Sequence, residues 1–256
     1  MNKKLLLSFD EYSAIKHESP YFYSVKSTEQ TLYYFGALHS KDISHSQFEI
    51  LQSKWQDFLN KTKSQKRIVF FEGIVDVKQL TTLEESIKKY GESGAIVFLA
   101  NQSNISIHRP EPDMKREIKE MLSDFSKDEI FYFYISRAIN HWQRGMVMRK
   151  DFDEFLGFNI ERFHSATGWK DFVFSFETFK RIHKQNFDKE LDLDDKSLLR
   201  KITNPTIKET VFNKIARKSS TIRNIFILEQ IEEKWQEGYS IFIVYGSGHA
   251  VMQAPL

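Results

Sequence analysis

Strand-like apolar runs alternating with amphipathic helical stretches predict an α/β fold: a mixed, mostly parallel central β-sheet flanked by helices. Three observations carry the prediction. Short β-branched and aromatic runs end in glycine near both ends of the chain. Apolar residues at helical spacing fill the stretches between those runs. No proline occurs from 113 to 204, and this long middle region reads as helix. The expected organisation is a single α/β domain over 1–256 with a helical insertion at 113–203 inside it.

The elements follow in order. Thr31-Leu-Tyr-Tyr-Phe35 is β-branched and aromatic, and Gly36 ends it. Residues 44–61 place Phe48, Leu51, Trp55, Phe58 and Leu59 at helical spacing. Arg67-Ile-Val-Phe-Phe71 is a short continuous apolar run of the kind a buried parallel strand shows. Residues 77–90 are helix-like, with Leu80, Leu83, Ile87 and Tyr90 on one side. Ala95-Ile-Val-Phe-Leu99 follows Gly91-Glu-Ser-Gly94 and is short enough to be strand or helix. Gly91 and Gly94 themselves read as ends of strand-like runs. Ser106-Ile-His-Arg-Pro110 is extended, because Pro110 and Pro112 disfavour helix before them. The helices of the middle carry the aromatic excess: Phe131, Tyr134 and Trp142 in 128–144, Phe152, Phe155 and Phe163 in 151–163, and five phenylalanines in 172–187. Two readings stand for these rings, packing between helices or an aromatic roof over a substrate cleft. Residues 208–237 are helical again up to Gly238, and Tyr239-Ser-Ile-Phe-Ile-Val-Tyr245 is the clearest buried strand.

Composition excludes several classes of function. Of 256 residues, 41% are hydrophobic and 28% charged, which rules out a disordered chain or a coiled coil. Lys+Arg is 37 against Asp+Glu 35, so no basic field points to nucleic acid. The absence of cysteine excludes a disulfide scaffold, a thiol nucleophile and a Cys-ligated metal, and it fits a cytoplasmic protein. No run reaches the ~20 apolar residues of a membrane span. Met1–Asp10 imitates a signal peptide, but the apolar stretch stops at Phe9, acids follow at Asp10 and Glu11, and no small-x-small cleavage site appears. It is expected to be a first structured element.

The candidate chemistry gathers where strands end. Gly36-Ala-Leu-His39 and Gly246-Ser-Gly-His249 each run from an apolar strand through glycine to a histidine three residues on. In open α/β sheets ligands bind at the carboxyl ends of the strands. Each histidine either serves its own loop or points into that crevice. Glu72 follows four apolar residues, where a carboxylate is costly to bury without a partner. It either caps the next helix or acts as a metal ligand or general base. Glu92, between Gly91 and Gly94, and Glu111, between Pro110 and Pro112, are acids in glycine- or proline-shaped turns. Arg223-Asn224 lies in the helix before the last strand, as a surface ion pair or as a guanidinium that holds a carboxylate or oxyanion. No nucleophile elbow, Walker loop, dinucleotide fingerprint or His-Glu-x-x-His is present. His45, His141, His164 and His183 lack metal-like spacing.

Taken together, the set resembles the TIKI / TraB (PrgY) / ChaN-like / erythromycin esterase-like superfamily. The matching positions are Gly36 to His39, Glu72-Gly73, Glu111-Pro112, Arg223-Asn224 and Gly246 to His249, with Glu92 as the glycine-flanked acid of some members. The resemblance covers about 31–112 and 208–256. It implies a mixed sheet in pseudo-repeated halves, and a function among metal-dependent proteolysis, lactone opening and haem binding. Members usually continue into a helix after the final histidine, whereas this sequence runs seven residues beyond His249. Either that helix is missing or the sheet is capped otherwise.

The expected function is hydrolysis of a small-molecule or peptide substrate. The expected metal ligands are His39, Glu72 and His249, holding manganese, cobalt or zinc and lowering the pKa of a bound water. Glu111 or Glu92 is then general base, Arg223 stabilises developing negative charge, and Arg109 and Asn224 bind substrate. In a metal-free version His39 and Glu72 activate water directly. The competing expectation is a non-catalytic small-molecule-binding, haem-binding or regulatory protein that uses the same cleft.

Overall fold

The computed structural model describes residues 6–145 and 151–255. Residues 1–5 of the expected first element lie outside the described residues. From Ser8 onward that element is helix α1 (Phe9–Ala14), opened by a reciprocal Ser8–Glu11 capping box.

The strands are β1 (Tyr21–Lys26), β2 (Thr31–Ala37), β3 (Lys66–Phe71), β4 (Ser106–His108) and β5 (Tyr239–Gly246). They form one mixed sheet in the order β1-β2-β5-β3-β4. The β1–β2 pair is antiparallel and every other pair is parallel. All seven residues of β2 are buried, as expected of a parallel strand covered on both faces. In register, Tyr33 sits beside Phe242 and Phe35 beside Val244, while Ile241 and Ile243 of β5 lie beside Ile68 and Phe70 of β3.

Alternation along these strands feeds two cores. Tyr33, Phe35, Val69, Phe71, Phe242 and Val244 face helix α2 (Gln47–Lys61), which contributes Phe48, Leu51, Trp55 and Phe58, and helix α3 (Leu83–Gln102). Leu32, Tyr34, Ile68, Phe70, Ile241 and Ile243 face Ile227, Leu228 and Ile231 of a long helix and Ala250 near the C-terminus. Each fully buried side chain of this size stabilises by roughly 1.5–3 kcal/mol through removal from water.

One expectation is corrected in this region and one alternative is decided. Gly91 and Gly94 do not end strands but lie within α3, and of strand or helix Ala95–Leu99 takes helix, in the same α3. Gly91 takes φ 63, ψ −141 and kinks the helix there. A side chain on Gly94 would strike the Ser86 carbonyl, and one on Gly91 would lie 2.7 Å from the Ser40 carbonyl oxygen. The glycines thus permit a bend and two close backbone approaches without ending the helix. The apolar run Ala95–Val97 packs onto the sheet instead of joining it.

The chain folds as two compact units, residues 1–111 with 224–256, and residues 112–223. The second contains α4 (Met114–Met121), α5 (Lys127–Gln143), α6 (Phe152–Thr167), α7 (Phe176–Phe187), α8 (Lys196–Ile202) and the start of α9 (Val211–Gln236). Its aromatic residues pack on one another. Tyr132 stacks on Phe179 with centroids 4.6 Å apart, and Phe131 meets Phe163, Phe172 and Phe174. Ser126 and Asp151 cap α5 and α6, and Gly168 ends α6 in the left-handed conformation. A last helix, α10 (Ser247–Gln253), follows β5 directly in the first unit. Gly36 is what lets it lie against β2, since a Cβ there would stand 2.6 Å from Ala250 Cβ and 3.0 Å from Ser247 Cα. Among the described residues no helix is long and apolar enough to cross a membrane.

Candidate functional site

Three parallel strands deliver the cluster. His39 stands two residues past β2, Glu72 directly follows β3, and His249 sits in the first turn of α10 after β5. The strand between the other two ends in Gly246, and that glycine is the centre of the arrangement. A Cβ built on it would lie 3.0 Å from His39 Nε2 and 3.5 Å from Glu72 Oε2. The imidazole and the carboxylate therefore meet across the glycine. Gly246 N–H donates to Glu72 Oε2 at 2.9 Å, which fixes the carboxylate. The Glu72 backbone N–H continues the ladder to the Val244 carbonyl at 3.2 Å. On the other side, His249 Nε2 lies 4.0 Å from Glu72 Oε1.

Each histidine is held through its other ring nitrogen. His39 Nδ1 is 2.5 Å from Glu92 Oε1. The His39 side chain is 49% exposed and that of Glu92 only 7%, so the ring reaches solvent while its partner stays inside. A carboxylate buried to that degree requires a partner, and the imidazole supplies it. His249 Nδ1 is 2.8 Å from Asn224 Oδ1. An amide oxygen only accepts, so Nδ1 of His249 carries the proton and Nε2 faces Glu72 with its lone pair in the neutral ring. Asn224 is fully buried. Its oxygen also accepts from Gln253 Nε2 at 2.7 Å.

Supporting contacts fix the backbone around these groups. The buried Gln47 side chain bonds both the N–H (3.0 Å) and the carbonyl (2.7 Å) of Leu38, the residue before His39. Tyr245 packs edge-on against His249 at 5.6 Å. Its hydroxyl donates to the Pro110 carbonyl at 3.3 Å and ties the 109–111 segment to β5.

The structure thus brings together His39, Glu72, Glu92, His249 and Asn224. Glu92 lies at the α3 kink rather than in a turn, and it holds His39 Nδ1. Asn224 is buried behind His249, with its oxygen engaged by two donors. Glu111 closes a tight turn through its N–H to the Arg109 carbonyl at 2.9 Å. Arg109 is exposed, and its side chain has no hydrogen-bond or ion-pair partner among the described residues. Arg223 precedes Asn224 in α9 but belongs to the second unit, where its charge acts on the Tyr134 hydroxyl. Sequence reasoning missed Gln47 and Gln253. A glutamine in an amphipathic helix carries no local signal that it will be buried against backbone or amide.

The donor chemistry, two imidazole nitrogens backed by acceptors plus one carboxylate, is of the kind that suits a divalent ion. Among the described residues, no three His, Asp or Glu side chains stand in a group that could hold one as placed. Comparison with protein-family models, curated proteins and solved structures found no match.

Proposed function

We propose that the protein is a hydrolase acting on a small-molecule or peptide substrate at the carboxyl ends of β2, β3 and β5. The observation that carries this reading is the paired orientation of His39 and His249. Each ring is fixed through Nδ1, and its Nε2 lies on the Glu72 side. Such fixing prepays the orientation of proton-transfer groups. His39 Nε2 takes the proton of a water as that water adds to the substrate carbonyl, and the Glu92 carboxylate stabilises the imidazolium that forms. Glu72, held by the Gly246 N–H, orients the water. His249, protonated on Nε2 and facing the Glu72 carboxylate, gives its proton to the leaving group. In a metal-dependent alternative, His39, Glu72 and His249 would instead hold manganese, cobalt or zinc, which would activate the water as a Lewis acid in place of the His39 base. The resemblance of the Gly-x-x-His, Glu and Gly-x-Gly-His segments to the TIKI and erythromycin-esterase superfamily supports the same class.

The test is hydrolysis of a panel of esters, lactones and peptides by the wild type and by His39→Gln, Glu72→Gln and His249→Gln, with elemental analysis and chelation alongside. Losses of about 10²-fold or more in each variant are expected for groups of this kind. Turnover that survives both His39→Gln and Glu72→Gln overturns the site. A wild type that turns over nothing in the panel favours a binding protein instead.

A further inference from the structure

A second feature of the first unit takes no part in that chemistry. On the sheet face opposite α2, a pocket with a volume of about 280 Å³ opens between β1, β2, α9 and the end of α10. Its walls are mostly apolar, with Tyr23, Tyr34, Trp235, Leu228 and Ile231 among them, and Glu232 and Gln236 also line it. Tyr23 and Tyr34 stack on each other with centroids 5.2 Å apart. Gln253 also lines it. This side chain is 2% exposed, and its Oε1 is buried without a hydrogen-bond partner among the described residues. A buried acceptor of this kind is costly to leave unpaired.

We infer that this pocket binds a small, flat, apolar molecule carrying one N–H or O–H donor, with Gln253 Oε1 as its acceptor, and that occupancy is felt at His249. A pocket this size takes one or two fused rings and excludes a peptide helix ~10–12 Å across. Because this oxygen is buried, the terminal amide of Gln253 must turn to bring it to the donor. The other end of the same amide donates to Asn224 Oδ1 at 2.7 Å, and that oxygen holds His249 Nδ1 at 2.8 Å. Any ligand that reorients Gln253 therefore changes the second bond to the Asn224 oxygen that holds His249. Binding itself does not depend on the protein being a hydrolase.

Indole is a suitable probe, and 1-methylindole is the same shape without the donor. Calorimetry and ligand-observed NMR on the full chain are expected to show saturable indole binding, with 1-methylindole weaker by roughly tenfold or more. Leu228→Trp fills the pocket and is expected to abolish binding. Val25→Glu alters a half-exposed lining residue and serves where Leu228→Trp fails to fold. Indole is also expected to move the His249 ring resonances more than those of His39. Saturable binding lost in either folded variant, with donor selectivity and a His249 response, supports the proposal. Absence of saturable binding, equal binding in the folded variants, equal affinity for 1-methylindole, or saturation without a His249 shift overturns it.

Discussion

Replacing Gly246 by alanine separates the chemistry of the site from the stability of the fold. The backbone there has φ −55, ψ 144, a conformation alanine adopts freely. On conformational grounds alone the substitution stabilises by about 0.4–1 kcal/mol, because it restricts the unfolded chain. Against this stands the new methyl group, 3.0 Å from His39 Nε2, 3.3 Å from Cε1 and 3.5 Å from Glu72 Oε2. Non-bonded carbon atoms rest at about 3.5–4.0 Å, so the imidazole must give by roughly half an ångström. It can give, because its side chain is 49% exposed. Moving it stretches the bond to buried Glu92, and weakening that bond costs about 1–3 kcal/mol. The two effects oppose each other, and net destabilisation should fall between about 0 and 2.6 kcal/mol. Turnover should fall by about 10²-fold or more, since the methyl occupies the space between base and carboxylate. Urea unfolding reads the first quantity, and hydrolysis of the best panel substrate reads the second. A variant with wild-type turnover and an unshifted His39 ring resonance would refute the claim that His39 and Glu72 work across Gly246.

Other positions test neighbouring parts of the site and the fold. Gly36→Ala puts a Cβ 2.6 Å from Ala250 Cβ and 3.0 Å from both Ser247 Cα and the Tyr21 carbonyl oxygen, where backbone cannot yield. It should destabilise by about 1–3 kcal/mol in denaturant melts, far more than Gly246→Ala relative to its loss of activity. Asn224→Leu removes the acceptor shared by His249 and Gln253, and should cost about 1–3 kcal/mol for each donor left buried. Glu92→Gln, which keeps shape and hydrogen bonding to His39 but not charge, is expected to reduce kcat with little change in KM. His183 in the second unit is buried against the Tyr132 hydroxyl at 2.7 Å, and burial, aided by Lys189, holds its pKa below the ordinary 6.5. The folded state therefore prefers the neutral ring: stability from this group is complete above about pH 6.5 and lost as pH falls through the lowered value. Urea melts at several pH values should show this acid-side loss in the wild type and less of it in His183→Phe.

Strand positions are legible in the sequence because burial on both faces forces apolar runs. Thr31–Phe35, Arg67–Phe71 and Tyr239–Tyr245 fall inside β2, β3 and β5. The edge strand β1 carries no such mark: Tyr21-Phe-Tyr and then Ser24-Val-Lys26 show no alternation, because the strand's burial fades along its length. Gly91-Glu-Ser-Gly94 has the composition of a turn, and local chemistry cannot say that a helix will bend there and continue. That distinction comes from the Ser40 and Ser86 carbonyls, which are distant or off-pattern in sequence. The same limit hides Gln47 and Gln253. Strand ends reveal where reactive groups gather, while the side chains that orient them come from elements chosen by packing.

The two histidines have equivalent positions after parallel strands, but their partners are not equivalent. Glu92 is a buried carboxylate and compensates charge on His39; Asn224 is a neutral amide and only fixes the orientation of His249. Compensation behind His39 favours its taking a proton in the transition state, which suits a base that reaches solvent. His249 has its compensating charge in front, in Glu72 at 4.0 Å from Nε2, so in the proposed reaction the proton of its charged form lies on the substrate side. This asymmetry makes the proposed roles distinguishable by exchange. Placing a carboxylate behind His249 with Asn224→Asp should impair the reaction even though hydrogen bonding to Nδ1 survives, because charge would then be compensated on the wrong side of the acid. If Asn224→Asp retains full turnover while Glu92→Gln loses it, His39 alone carries the proton traffic and His249 serves only to hold Glu72 in place.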